Sequence, residues 1–147
     1  IFSKMRLIKT RLDKELSGSE KKIYLGAWAK EIHEEDITVK YHWDDRAKYF
    51  KDYKYLSELY KKNIKFLTKE FNRIHKVKES ERYWAIIIGP WLRTFTDAIF
   101  DRYEIVRSIK NEKINDIFLY NYSQVNFVPN DFESFFFNYT EDEWNEF

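Results

Sequence analysis

Residues 45–75 read DRAKYFKDYKYLSELYKKNIKFLTKEFNRIH. Tyr49, Tyr53, Leu56, Tyr60, Ile64, Leu67, Phe71 and Ile74 recur there at steps of three or four, the spacing that stacks side chains on one face of an α-helix. Lys48, Lys51, Lys54, Glu58, Lys61, Lys62, Lys65, Lys69 and Glu70 fill the other faces. The pattern predicts an amphipathic helix over about 45–75, opened by Asp44 or Asp45 as N-cap. Tyrosines within the stripe suit globular packing better than a strict zipper.

A second helix is expected over about 81–110, opened by Ser80 and carrying Trp84, Ile88, Trp91, Phe95, Ile99, Tyr103 and Val106 as its stripe. Gly89-Pro90 should kink it or break it in two, because proline lacks a backbone donor and crowds the preceding turn. Upstream, Leu12 and Leu16 suggest a short helix stopped by Ser17-Gly18-Ser19. Lys21 to Gly26 and Ile37 to Tyr41 read as brief strands, and Ile117 to Tyr120 as another. Asn130 with Glu133 resembles a capped short helix, and Thr140-Glu141-Asp142-Glu143 a capping box opening one more. The expected fold is therefore mainly helical α/β: one domain over 1–147, a few short strands near its start and two long packed helices.

The 147 residues hold 26 Lys and Arg against 25 Asp and Glu, a net charge of +1, which argues against a nucleic-acid partner. Aromatic residues make up 20% of the chain and supply enough buried area to fold it despite a mean hydropathy of −0.69. With no cysteine, disulfides and thiolate metal sites are excluded. Tyr83 to Ile88, the longest apolar run, is too short for a transmembrane segment. The sequence starts at Ile1 and stops at Phe147 inside what reads as a new helix, so a larger parent protein is expected.

Two constellations carry chemistry. His42, Asp44, Asp45 and Arg46 sit beside Trp43 where a strand gives way to a helix, a location where first-turn N–H groups attract anions. His42 or a carboxylate there would serve as acid or base and Arg46 as an anion clamp; equally, an aspartate simply caps and Trp43 fills the core. Arg82, Trp84, Gly89 and Trp91 form the second group, with Arg82 and Arg93 facing an anion or, alternatively, two tryptophans packing an ordinary helix. Asp101-Arg102 reads as a structural ion pair, and His75 as a partner of the terminal carbonyls of its helix. His33-Glu34-Glu35-Asp36 has metal-capable side chains, but consecutive residues do not converge from a helix or strand, so no metal is expected.

Four ordered blocks resemble a known family: Leu25-Gly26-Ala27-Trp28-Ala29; Tyr41-His42-Trp43-Asp44-Asp45-Arg46 with Lys51-Asp52-Tyr53; Arg82-Tyr83-Trp84 with Ile88-Gly89-Pro90-Trp91-Leu92; and Phe100-Asp101-Arg102. They are similar to the amino-terminal part of bacterial transferases encoded in O-antigen and other surface-polysaccharide clusters. The resemblance covers most of residues 5–110. It implies a glycosyltransferase-like enzyme moving a sugar from an activated donor to a glycan or lipid-linked acceptor. Without cysteines a reducing compartment is expected, hence a cytoplasmic location, with peripheral attachment to the inner membrane as the variant, and no cofactor is expected. His42, Asp44 and Asp45 would be catalytic. Trp28, Trp43, Arg46, Arg82, Trp84, Gly89, Trp91, Asp101 and Arg102 would bind substrate. The remainder of the parent chain would be a partner holding the donor site, leaving these residues inactive alone. The family's first block usually reads Leu-Gly-Glu-Trp-Cys; Ala27 and Ala29 replace its acid and its thiol here. The rival expectation is a non-enzymatic helical interaction module, which would expose a broad aromatic patch instead of converging polar groups.

Overall fold

The computed structural model describes residues 5–16, 21–29, 37–119, 128–142 and 144. The metal-capable run at His33 to Asp36, the stop at Ser17-Gly18-Ser19 and most of the helix expected from Thr140 lie outside these residues. Contacts group the chain into two units, Ile1–Tyr41 with Glu104–Phe147, and His42–Tyr103. The architecture is mainly helical α/β, as the periodicity predicts.

The first unit is built on β1 (Met5–Ile8), β2 (Lys21–Tyr24), β3 (Ile37–Thr38) and β4 (Asp116–Ile117). All pairings are parallel, in the order β3-β2-β1-β4. The chain thus steps from β1 to β2 and β3 on one side, and β4 later adds to the other side of β1. Leu7 with Ile23 and Ile109 forms one buried cluster, and Ile8 with Tyr24 and Ala29 forms another. Adjacent strand residues point to opposite faces, so both faces of the sheet are covered, as an all-parallel sheet requires. β4 has only two residues, and side chains secure it. Arg6 Nε donates to Asp116 Oδ2 at 2.8 Å across the pair that the register places opposite each other. Asn115 N–H bonds the Met5 carbonyl at 3.0 Å.

Sequence reading found β2 and β3 but left Met5 to Ile8 unassigned, although this strand is the centre of the sheet. Its four residues alternate too briefly to show a period, and a strand buried on both faces carries no polar alternation. Leu12 lies in a 3₁₀ turn, Arg11–Leu16, in place of an α-helix. The short helix α3 (Phe132–Asn138) is capped one residue later than expected. Asp131 Oδ1 accepts the Ser134 N–H at 2.7 Å, and that bond, then the Ser134 hydroxyl, holds the Asp131 carboxyl below its usual value.

In the second unit α1 (Arg46–His75) and most of α2 (Glu81–Ser108) form an antiparallel hairpin. Contacts from Trp84 to Phe71, Arg93 to Ser57 and Phe100 to Tyr55 descend along α1 as α2 ascends. Asp45 caps α1 by accepting the N–H groups of Ala47 and Lys48 at 2.9 and 3.3 Å. Ser80 Oγ accepts the Tyr83 N–H at 3.1 Å and opens α2. No break occurs at Gly89-Pro90, since a single helix runs through it. At Gly89 a Cβ would lie 2.6 Å from the Tyr60 hydroxyl oxygen, the far end of a flexible side chain, so a larger residue would displace that hydroxyl.

The buried lines differ from the apolar stripes. On α1 it is Asp52, Leu56, Ile64 and Thr68 that are buried, while Tyr53 and Ile74 are exposed. On α2, Trp84 and Leu92 are buried, whereas Phe95, Ile99, Tyr103 and Val106 are exposed. A hairpin selects the narrow line of side chains that fits between its axes, and bulk alone does not locate that line.

The connector between α1 and α2 is organised by Asn72. Its Nδ2 donates to the Glu79 carbonyl at 2.8 Å, and its Oδ1 accepts the Glu79 N–H at 3.0 Å and the Trp84 indole N–H at 2.9 Å. Lys76, at φ 55°, ends α1 in the left-handed conformation. Replacing Asn72 by Ala should lower stability by about 2–3 kcal/mol, because the buried Trp84 donor loses its acceptor. Chemical denaturation measures this; a change below about 0.5 kcal/mol would refute the role given to Asn72.

Candidate functional site

His42, Trp43, Lys48, Asp52 and Asp101 gather at one end of the second unit's hairpin. His42 belongs to the 3₁₀ turn His42–Asp44 that leads into α1, and its side chain is only 6% exposed. Its Nε2 lies 2.9 Å from Asp101 Oδ1. A carboxylate has only acceptors to offer, so Nε2 carries a hydrogen in this bond, while Nδ1 is buried. Aromatic rings fix the imidazole: Trp43 at 4.6 Å and Phe100 at 6.5 Å between centroids. Trp43 stacks on Phe100 and donates its indole N–H to Asp52 Oδ2 at 3.1 Å. Asp52 also pairs with Lys48, whose ammonium lies over the Phe100 ring at 5.6 Å. The carboxylate and the two rings hold the imidazole in one orientation.

The other sequence candidates are distributed along the hairpin. Asp45 is occupied as the α1 cap and Asp44 lies in the preceding turn. Arg46 lies over the rings of Tyr49 and Phe50 at 5.6 and 5.7 Å. Asp101 bonds His42, and Arg102 donates to the Ala98 carbonyl at 3.4 Å. Arg82 begins α2 and is separated from Asp101 by about 28 Å of helix at 1.5 Å per residue, so Arg82 and His42 do not share a cavity. Trp84 is buried against Phe71, His75 and Tyr83. His75 stacks on Trp84 at 5.8 Å, a ring contact that the sequence did not suggest. Trp91 stacks on Phe95 at 5.0 Å. Gly89 lies beside the Tyr60 hydroxyl.

Asp52, Asn72 and Phe100 are functional-looking or organising residues that spacing alone did not single out. A signal for Asp52 exists, since it stands four residues before Leu56 on the buried line of a lysine-rich helix.

In the first unit the carboxyl ends of β1 and β2 bring together Lys9, Thr10, Asp13 and Trp28. Asp13 is 1% exposed; its Oδ2 accepts the Lys9 N–H at 2.8 Å, and the Lys9 ammonium lies 3.8 Å from its Oδ1. Trp28 donates its indole N–H to the Lys9 carbonyl at 3.0 Å. Ala29 is fully buried with Ile8 and Tyr24, whereas Ala27 is exposed. The residue in the thiol position is thus a small core residue, and the residue in the acidic position faces solvent at the sheet's carboxyl edge.

The family model for LIC12162 family transferase matches residues 5–147. The chain belongs to that family. No curated protein and no solved structure matches it. For this LIC12162 family member the match spans both units, and so covers the parallel sheet and the His42 cluster alike. Among the described residues no helix is long and apolar enough to cross a membrane.

The Asp101 bond should fix the His42 tautomer. Nitrogen NMR of the imidazole at pH 8 should show predominantly the Nε2–H form, and Asp101→Ala should convert it to a mixture. An unchanged tautomer in that variant would remove Asp101 from the site.

Proposed function

We propose that these residues are the amino-terminal portion of a glycosyltransferase-like enzyme of bacterial surface-polysaccharide assembly, O-antigen included. It would move a sugar from a nucleoside-diphosphate donor to a glycan or lipid-linked acceptor at the cytoplasmic side of the inner membrane. Membership of a transferase family supports the reaction type. The blocks around Trp28, His42, Trp84 and Asp101 support the polysaccharide setting through their resemblance. The all-parallel sheet supports a nucleotide- or sugar-handling domain, since such sheets place ligands outside their carboxyl ends.

The observation that carries the residue assignment is the 2.9 Å contact of His42 with Asp101. In this reading the turn carrying His42 opens when the acceptor binds, exposing Nδ1, which is buried in this structure; Nδ1 then takes the proton of the acceptor hydroxyl as that oxygen bonds the anomeric carbon. The bond from that carbon to the donor phosphate breaks, and the nucleoside diphosphate leaves with its electron pair. Asp101 holds the ring and stabilises the imidazolium. Asp44 and Asp45 shape the turn, with Asp45 capping α1. Trp43 supports the ring, Arg46 and Arg102 add positive charge nearby, and Arg82, Trp84, Gly89 and Trp91 keep the hairpin in shape. The donor would bind largely to other parts of the parent protein.

The interaction-module alternative draws on Ile86, Ile87, Ile99 and Tyr103, four exposed apolar side chains of α2. The two readings separate in one assay on the longest natural form of the protein: nucleotide release from a panel of nucleoside-diphosphate sugars, with a lipid-linked acceptor. His42→Ala should reduce release at least about a hundredfold and Asp101→Asn about tenfold, with folding checked by circular dichroism. Full turnover in His42→Ala would overturn the assignment of His42. No release from any donor would favour the interaction module.

A further inference from the structure

The first unit contains a fixed and partly exposed aromatic ring at the edge of its sheet. Trp28 follows β2 by four residues yet reaches back to β1, the strand at which the order β3-β2-β1-β4 reverses. Its indole N–H is held by the carbonyl of Lys9, the first residue beyond β1, at 3.0 Å. Its six-membered ring lies against Gly26 so closely that a Cβ there would sit 2.1 to 2.5 Å from three ring atoms. Glycine thus leaves the room that the ring occupies beside this backbone. Two constraints therefore immobilise a side chain that remains 41% exposed.

An exposed tryptophan gains nothing from water, and fixing it costs side-chain entropy. A flat, pre-positioned ring at the carboxyl edge of a parallel sheet, beside the strand where topology reverses, lies where this class of sheet receives its ligands. We infer that Trp28 is a stacking platform for the apolar C–H face of a pyranose ring, held in place by Gly26 and the Lys9 carbonyl. A pyranose offers one apolar face and a rim of hydroxyls, so its C–H face suits the exposed indole while its hydroxyls stay in water. A nucleobase also has a flat face for such a ring, so a nucleotide is the competing class in the test. The inference rests on the proposed sugar transfer for the class of ligand, but concerns binding in the first unit and requires no turnover.

The test is fluorine NMR of protein labelled with 5-fluorotryptophan, the Trp28 resonance being assigned with Trp28→Phe. Methyl glycosides of glucose, galactose, mannose, rhamnose and N-acetylglucosamine are the probes, with uridine 5′-monophosphate as the competing class. At least one glycoside should shift the Trp28 resonance saturably. Gly26→Ala, which forces the ring off its seat, should weaken that binding tenfold or more, and Trp28→Phe should weaken it less than Trp28→Ala. Circular dichroism and the other tryptophan signals report whether Gly26→Ala keeps the fold; should it not, the Trp28 series decides alone. Silence towards every glycoside, or a response to the nucleotide alone, would overturn the inference. Because nucleotide release is not measured, failure here is distinct from failure of His42 in the transfer assay.

Discussion

β1 is bonded along both edges and covered on both faces, and that constraint determines the first unit. A four-residue strand in this position must bury its side chains in both directions, which Leu7 and Ile8 do. It must also hold a two-residue strand against one edge, which β4 cannot achieve with backbone bonds alone. Arg6 and Asp116 supply the missing specificity by pairing across the same register position that the backbone uses. Because β2 and β4 flank it in parallel, the carboxyl end of β1 becomes the place where the topology changes sides. Lys9, Asp13 and Trp28 are collected there for that reason.

The second unit depends on a different device. Two long helices need a connector of defined geometry, and the Asn72 amide provides it through three hydrogen bonds, one of them to the buried Trp84 indole. With the connector end fixed, the opposite end of the hairpin places the turn before α1 beside the residues near Phe100 on α2. That registration brings His42 to Asp101 although the two are far apart in sequence. The His42 contact therefore depends on packing along the whole hairpin, including the close approach of Tyr60 to Gly89.

Much of this was legible in the residues. Periodicity located both helices to within a few positions, because three- and four-residue steps persist over about eight turns. Their packing lines were less legible: Tyr53 and Ile99 have apolar bulk but face solvent, while Asp52 and Thr68 are buried. β1 was invisible for the opposite reason, being too short to show any period. In the candidate site the block containing His42 and the one containing Asp101 were both recognisable, but their bond was not, since it spans 59 positions. Arg82 looked equivalent to His42 in chemistry, and only the rise of α2 shows that it lies at the other end. Trp28 was marked by resemblance alone; its tether to Lys9 and its seat on Gly26 exist only in the folded chain.

The central claim is that β1 is the inner strand of a parallel sheet, with β4 on the edge opposite β2. Backbone NMR on labelled protein tests this directly through contacts between amide and α protons of neighbouring strands. Parallel-type contacts should connect Leu7 with Ile117 on one side and Leu7 with Ile23 on the other, with the β1 amides protected from exchange. Contacts on one edge only, or an antiparallel pattern between residues 5–8 and 116–117, would contradict the account.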